Sequence, residues 1–262
     1  MAEGSVVKKT RAFELDFLRG LALFLMILMH FAYDIRYIFG YDAFEFMEYR
    51  WFWVFIEPFF LCLFVGISGV CCTFSKNNFK RAGKLLVVAL CVTAVTYVAT
   101  YRFGIECLII FNVLHMLAVS IFVYALLSLI EKKSKIDPKV MNVLLTFFGL
   151  YFAQVGKELV KYDGKVDTNI FIPIGITGKT HPFMGDYMPL FPWIGVFLVG
   201  AVIGRIIYSD RKTLFKNAPG PLLKITRPFE FIGRHSLIIY VVHQPIVLAL
   251  TYGVDHLLRK IC

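Results

Sequence analysis

Charge is scarce in this chain. Asp, Glu, Lys and Arg supply 18% of its 262 residues, where a soluble domain carries about a quarter. Histidine occurs six times and tryptophan three, so every histidine within an apolar stretch stands out. Gly-rich phosphate loops, zinc-ligand spacings and serine-nucleophile motifs are missing, and no metal is expected. The six cysteines (Cys62, Cys71, Cys72, Cys91, Cys107 and Cys262) lie mostly inside apolar blocks without a redox or metal spacing. They read as small packing residues. A cleavable signal peptide is not evident, because Met1–Lys9 is polar and the first apolar block runs on into aromatic and charged sequence. Internal repeats, low-complexity tracts and an appended soluble domain are absent too.

Apolar residues are what the chain has, at 58% of the sequence with 16% aromatic and a mean hydropathy of +0.70. They fall in blocks of about 17–24 residues, long enough to cross a bilayer core of about 30 Å. Lipid cannot satisfy an open backbone, so these blocks must be helices. Seven spans are expected: Phe13–Tyr33, Trp51–Phe74, Leu85–Tyr101, Cys107–Ile130, Val140–Val155, Met188–Tyr208 and Phe231–Tyr252. Asn169–Thr177 is too short to span, contains Pro173, and suits a re-entrant or interfacial segment. The fold class is therefore all-α, a polytopic membrane helical bundle forming one domain over residues 1–262.

The net charge of +10 does not indicate nucleic acid, because the cations sit in loops as membrane topology requires. Lys8, Lys9 and Arg11 precede the first span. Loop Ser75–Lys84 carries Lys76, Lys80, Arg81 and Lys84 without an acid, and Glu131–Lys139 carries four lysines against two acids. Arg205–Glu230 holds six cations against two acids. The alternate loops differ: Asp34–Arg50 has two cations against four acids, and Lys157–Asp186 is neutral. The N-terminus is thus expected inside and the C-terminus outside.

Ionisable residues within spans are costly and mark functional candidates. With this orientation His30, Glu57, His115 and His243 fall at similar depth, in the outer half of the bilayer. His30 lies about 25 Å from the inner end of its helix, and His243 about 18 Å up the last one. Asp34, four residues after His30, shares its helix face and is expected to fix the imidazole tautomer as a general base requires. On the inner side Asp16 and Arg19 are expected to pair. Arg19, Arg81, Lys84, Arg234 and His235 form a candidate cationic mouth for an anionic ligand such as a nucleotide phosphate. Gly20, the Gly66/Gly69 step and Gly195/Gly200 suit close helix approach. Pro58, Pro189, Pro192 and Pro245 are candidate helix breakers near the outer polar layer.

The opening FELDFLRGLALFLMILMHFAYD (Phe13–Asp34) resembles the bacterial branch of the heparan-α-glucosaminide N-acetyltransferase-like membrane proteins. The resemblance continues through PFFLCLFVGISGV, FNVLHMLAVS, GDYMPLFPWIGVFLVG and GRHSLIIYVVHQPIV, in order and over nearly the whole chain. LDxxRG before an apolar helix ending in His is also similar to the transmembrane acyltransferases that O-acetylate surface polysaccharides. The resemblance implies an acetyltransferase in a bacterial cytoplasmic membrane. It would take an acetyl group from cytoplasmic acetyl-CoA and pass it to an amino or hydroxyl group of a glycan on the far side. By that analogy His30 is the base or acyl relay, backed by Asp34, with His115 and His243 supporting and Arg19 serving the inner vestibule. The lysosomal members carry Asn at the position of His30 and a catalytic His in the following loop. Ile35–Arg50 contains no histidine, so either His30 takes the role or the chemistry differs. The alternatives from the residues themselves are a small proton-coupled transporter and a non-catalytic membrane protein. A homo-oligomer stays open.

Overall fold

The computed structural model describes residues 12–216 and 219–261. The N-terminal Lys8, Lys9 and Arg11, and Cys262, lie outside them. Eight helices are formed among the described residues: α1 Phe13–Tyr33, α2 Glu57–Cys72, α3 Asn78–Phe103, α4 Val113–Lys133, α5 Pro138–Leu159, α6 Trp193–Ile207, α7 Gly220–Arg234 and α8 Ser236–Ile261. π-helical turns extend α1 to Ile38 and begin the α2 span at Phe52. Six segments, Phe13–Ile38, Phe52–Cys72, Asn78–Phe103, Val113–Lys133, Pro138–Tyr162 and Ser236–Leu257, are long and apolar enough to cross a membrane, and α6 is a shorter apolar helix.

The helix ends follow local chemistry. Asn77 caps α3 through the Lys80 amide at 2.9 Å, and Gly104 ends that helix in the left-handed region at φ +69°. Asp137 caps α5, with Pro138 in its first turn.

Three expectations are corrected. The sixth span is helical only from Trp193, because Pro189 and Pro192 interrupt the Met188–Pro192 approach. The last span does not start at Phe231: Phe231–Arg234 close α7, and the chain re-forms as α8 after His235. Pro245 does not break α8. It removes one backbone donor within a continuing helix. The fifth span, expected over Val140–Val155, runs as one 22-residue helix, Pro138–Leu159.

The chain divides into two compact units, residues 1–64 with 210–262, and residues 65–209. In the first, α1 and α7 touch backbone to backbone. A Cβ on Gly20 would overlap the Phe229 carbonyl, and one on Gly233 would overlap the Asp16 carbonyl. Phe17 and Phe24 both pack edge-on against Phe229. The buried Glu14 carboxylate accepts from Thr213 Oγ1 and the Leu214 amide, both at 2.8 Å, so the segment before α7 is tied to the start of α1.

In the second unit glycines set the packing of α6. The C-terminal half of α2 meets it where Gly69 faces Phe197 and Gly200 faces the Gly66 backbone. Gly149 of α5 meets Gly195, and Gly156 meets Pro192. Arg205 of α6 makes a bidentate pair with Glu131 of α4 and donates from Nε to Asn142 of α5.

Candidate functional site

The first unit brings His30 and His243 together. Their rings stand 5.0 Å apart between centroids at 88°, edge against face. α1 supplies His30. α8, which follows α7, supplies His243 two residues before Pro245.

Each imidazole has its Nδ1 committed to its own helix. His30 Nδ1 lies 3.0 Å from the Met26 carbonyl, and His243 Nδ1 2.6 Å from that of Tyr240. A carbonyl only accepts, so both Nδ1 atoms carry hydrogen and both Nε2 atoms carry the lone pair in the neutral rings. This corrects the expectation for Asp34. A backbone carbonyl, not the carboxylate, sets the His30 tautomer.

Asp34 is instead 1% exposed and held by Gln244 Nε2, 3.1 Å from each carboxylate oxygen. The amide therefore points its NH₂ at Asp34 and its oxygen away. Asp34 and Glu57, which begins α2, are both within electrostatic reach of His30. Two imidazoles, two carboxylates and one amide thus share a neighbourhood. Gln244 was the member the sequence did not single out, since one amide beside a histidine in an apolar helix has no distinguishing spacing.

Above this group the Phe39–Arg50 loop is anchored at both ends. Tyr41 Oη donates to Asp255 of α8 at 2.7 Å, and Arg36 pairs with Glu48 and donates to the Ala43 carbonyl at 2.7 Å. Phe44, at φ +57°, packs on Phe31.

His115 belongs to the second unit and has different surroundings. It is the third residue of α4, in a capping box with Asn112. Its Nδ1 lies 3.0 Å from Asn112 Oδ1 and its Nε2 3.3 Å from Thr93 Oγ1. Phe111 stacks on the ring. Both nitrogens are engaged in holding the helix start.

The cationic set divides as well. Arg234 is shared by two buried acids, at 3.5 Å from Asp16 and 3.1 Å from Glu230. Asp16 therefore pairs with Arg234 rather than with Arg19, because the glycine contact brings α7 against that turn of α1. Arg19 is half-buried and makes no ion pair among the described residues. His235 is exposed at the α7–α8 junction, its Nδ1 on the Phe231 carbonyl at 2.9 Å. In the second unit Arg81 contacts Cys72 Sγ at 3.5 Å, and Lys84 is exposed.

These features define a polytopic helical membrane protein with an ionisable cluster inside its first unit. The chain belongs to the family described as heparan-alpha-glucosaminide N-acetyltransferase, catalytic, which matches residues 11–245. It is thus a member of a membrane acyltransferase family. His30, Asp34, Glu57, His115 and His243 all fall within the matched residues. No curated protein and no solved structure matches the chain.

Proposed function

We propose that the protein transfers an acetyl group from acetyl-CoA to an amino or hydroxyl group of an extracytoplasmic glycan or envelope molecule. The observation carrying this reading is the His30–His243 pair, each ring with hydrogen on Nδ1 and a lone pair on Nε2, and with Asp34 and Glu57 within electrostatic reach of His30. Acyl transfer needs a base for the acceptor and favourable electrostatics where charge develops.

In this reading His30 Nε2 takes the proton of the acceptor N–H or O–H as that atom attacks the thioester carbonyl. The new C–N or C–O bond forms, the C–S bond breaks, and CoA leaves as a thiolate that takes the proton from the His30 imidazolium. Asp34 and Glu57 stabilise the imidazolium formed on His30. His243 supports the same ring from its edge. Arg19 and His235 of the first unit are candidates for the CoA phosphates, as, separately, are Arg81 and Lys84 of the second. Arg234 is less suited, since Asp16 and Glu230 already neutralise it. The loop charges support an orientation with the CoA mouth in the cytoplasm.

The test is acetyl-CoA binding to purified protein, followed by transfer to glucosamine-type acceptors. Saturable binding and acceptor-dependent release of free CoA are expected. Absence of CoA binding at millimolar ligand removes the acyltransferase reading, and uptake driven by a proton gradient in proteoliposomes would replace it with a transporter. Full activity in His30→Ala would remove His30 as the base and leave the class standing.

A further inference from the structure

The second unit carries an apolar groove on its surface between α5 and α6, of about 370 Å³. Val143, Thr146, Phe147 and Leu150 form one wall, and Val202 and Ile206 the other. The helices touch through Gly149–Gly195 and Gly156–Pro192. At the Asn142 end Arg205 of α6 bonds to Asn142, which also lines the groove. The groove is open on one side and its lining is almost wholly apolar, which suits a length of hydrocarbon chain lying along the two helices.

Its Asn142 end is basic. Lys139 stands three and four residues before Asn142 and Val143, on the same helix face. Lys132 and Lys133 close α4 and Lys135 follows in the loop before α5, and all four lysines are exposed without an ion pair among the described residues. Of the two acids nearby, Glu131 is consumed by Arg205, and Asp137 caps α5 through the Lys139 amide at 2.7 Å. Capping leaves the Asp137 charge in place, but the four lysines outnumber this one acid and keep a net positive charge for an external anion. α5 begins at Pro138, so they sit where a spanning helix leaves the hydrocarbon.

We propose that this groove is a binding site for one anionic phospholipid, its acyl chain along α5 and α6 and its phosphate on Lys139 and the loop lysines. Charge complementarity singles out this occupant: a bare hydrocarbon groove accepts any lipid, whereas a surplus of lysines at one end selects an anionic headgroup. The proposal is independent of the acyl-transfer chemistry and lies entirely within the second unit.

Native mass spectrometry of the detergent-solubilised protein, with phosphatidylglycerol and phosphatidylcholine at equal mole fraction, tests it. One phosphatidylglycerol should be retained in preference to phosphatidylcholine. Lys139→Gln should weaken retention about fivefold. Thr146→Trp should fill the groove and abolish it, while Leu144→Trp, exposed but outside the groove, should retain wild-type binding. Val143→Trp, at a position 68% exposed, provides a second groove-filling variant should Thr146→Trp not fold. Unchanged retention in a folded groove-filling variant, or equal retention of the two lipids, overturns the proposal. So does a change of oligomeric state in the tryptophan variants, which would assign the groove to a second copy of the chain.

Discussion

His243 stands edge-on to His30 at 5.0 Å, although it lies 213 positions later in the sequence. Both rings are pinned through Nδ1 to carbonyls one turn back in their own helices, so neither can rotate without losing a hydrogen bond. If His30 is the base, His30→Ala should lower kcat for acetyl transfer by about 10²–10⁴-fold with CoA binding retained. His243→Ala should lower kcat less, and His243→Gln less still. Steady-state kinetics on the three variants measures this. Equal CoA affinity alongside lost turnover separates chemistry from misfolding.

Gln244 is the sole side chain donating to the buried Asp34 carboxylate among the hydrogen bonds described here. Gln244→Leu strands a buried carboxylate and should cost about 2–3 kcal/mol, read as a lower unfolding temperature in detergent. Asp34→Asn in the Gln244→Leu background should recover part of the loss, because the remaining group is neutral. A purely additive double variant would show that the two do not interact.

The glycines divide into two kinds, and alanine substitution should tell them apart. Gly20, Gly200 and Gly233 face backbone atoms of another helix, so an added Cβ forces helices apart. Each Ala variant should cost about 1–3 kcal/mol. Gly66 and Gly83 meet nothing within 4 Å of an added Cβ. Ala there should be neutral or stabilise by up to about 1 kcal/mol through helix propensity. Thermal unfolding monitored by size-exclusion recovery distinguishes the sets.

The Asp163–Tyr187 segment has its own pH response. Hydrogen bonds from Thr177, at 2.6 Å from Oγ1 and 2.8 Å from its amide, hold Asp163 below the usual carboxylate range. The native carboxylate is thus favoured. Its contribution is complete above the ordinary value near 3.8 and is lost as pH falls through the lower native value. At the other extreme, burial and the Asp163 charge push Tyr187 up to about 12. The native phenol is the favoured form, so stability falls as pH rises from about 10 toward 12. Hydrogen exchange at the Thr177 and Gly178 amides should show lost protection at the acid end, and Thr177→Val should abolish that acid-linked change. The phenolate absorbance of Tyr187, taken against Tyr187→Phe, checks the alkaline end.

Much of this was legible in the sequence, for a physical reason. Hydrocarbon demands long apolar helices, so the blocks announced themselves, and orientation from loop charge put His30 and His243 at one depth. Gly20 and Gly200 were readable because small residues in spans have few other uses. Hydrogen-bond partners were not. Gln244 and Asp34 are 210 residues apart, and no local pattern links them. Asn112 and His115 have the spacing of a capping box, but with His where Glu or Gln is the usual signature, so His115 read as a catalytic candidate. Arg205 and Glu131 were counted as opposing loop charges, although they neutralise each other. The break at His235 has Gly233 two residues before it, but one glycine in an apolar stretch does not separate an interruption from a continuous span.

The ties of α1 run to the far end of the chain. Glu14 waits for Thr213, 199 residues later, and Asp34 for Gln244, 210 residues later. At about 5–20 residues per second of synthesis, the first helix exists for roughly 10–40 s with its acids and His30 unmatched. Throughout that interval it is a poor guest for lipid. Biogenesis therefore has to shelter the earliest helix until the last one emerges, and variants in α7 or α8 should surface as early degradation of nascent chains as well as lost activity.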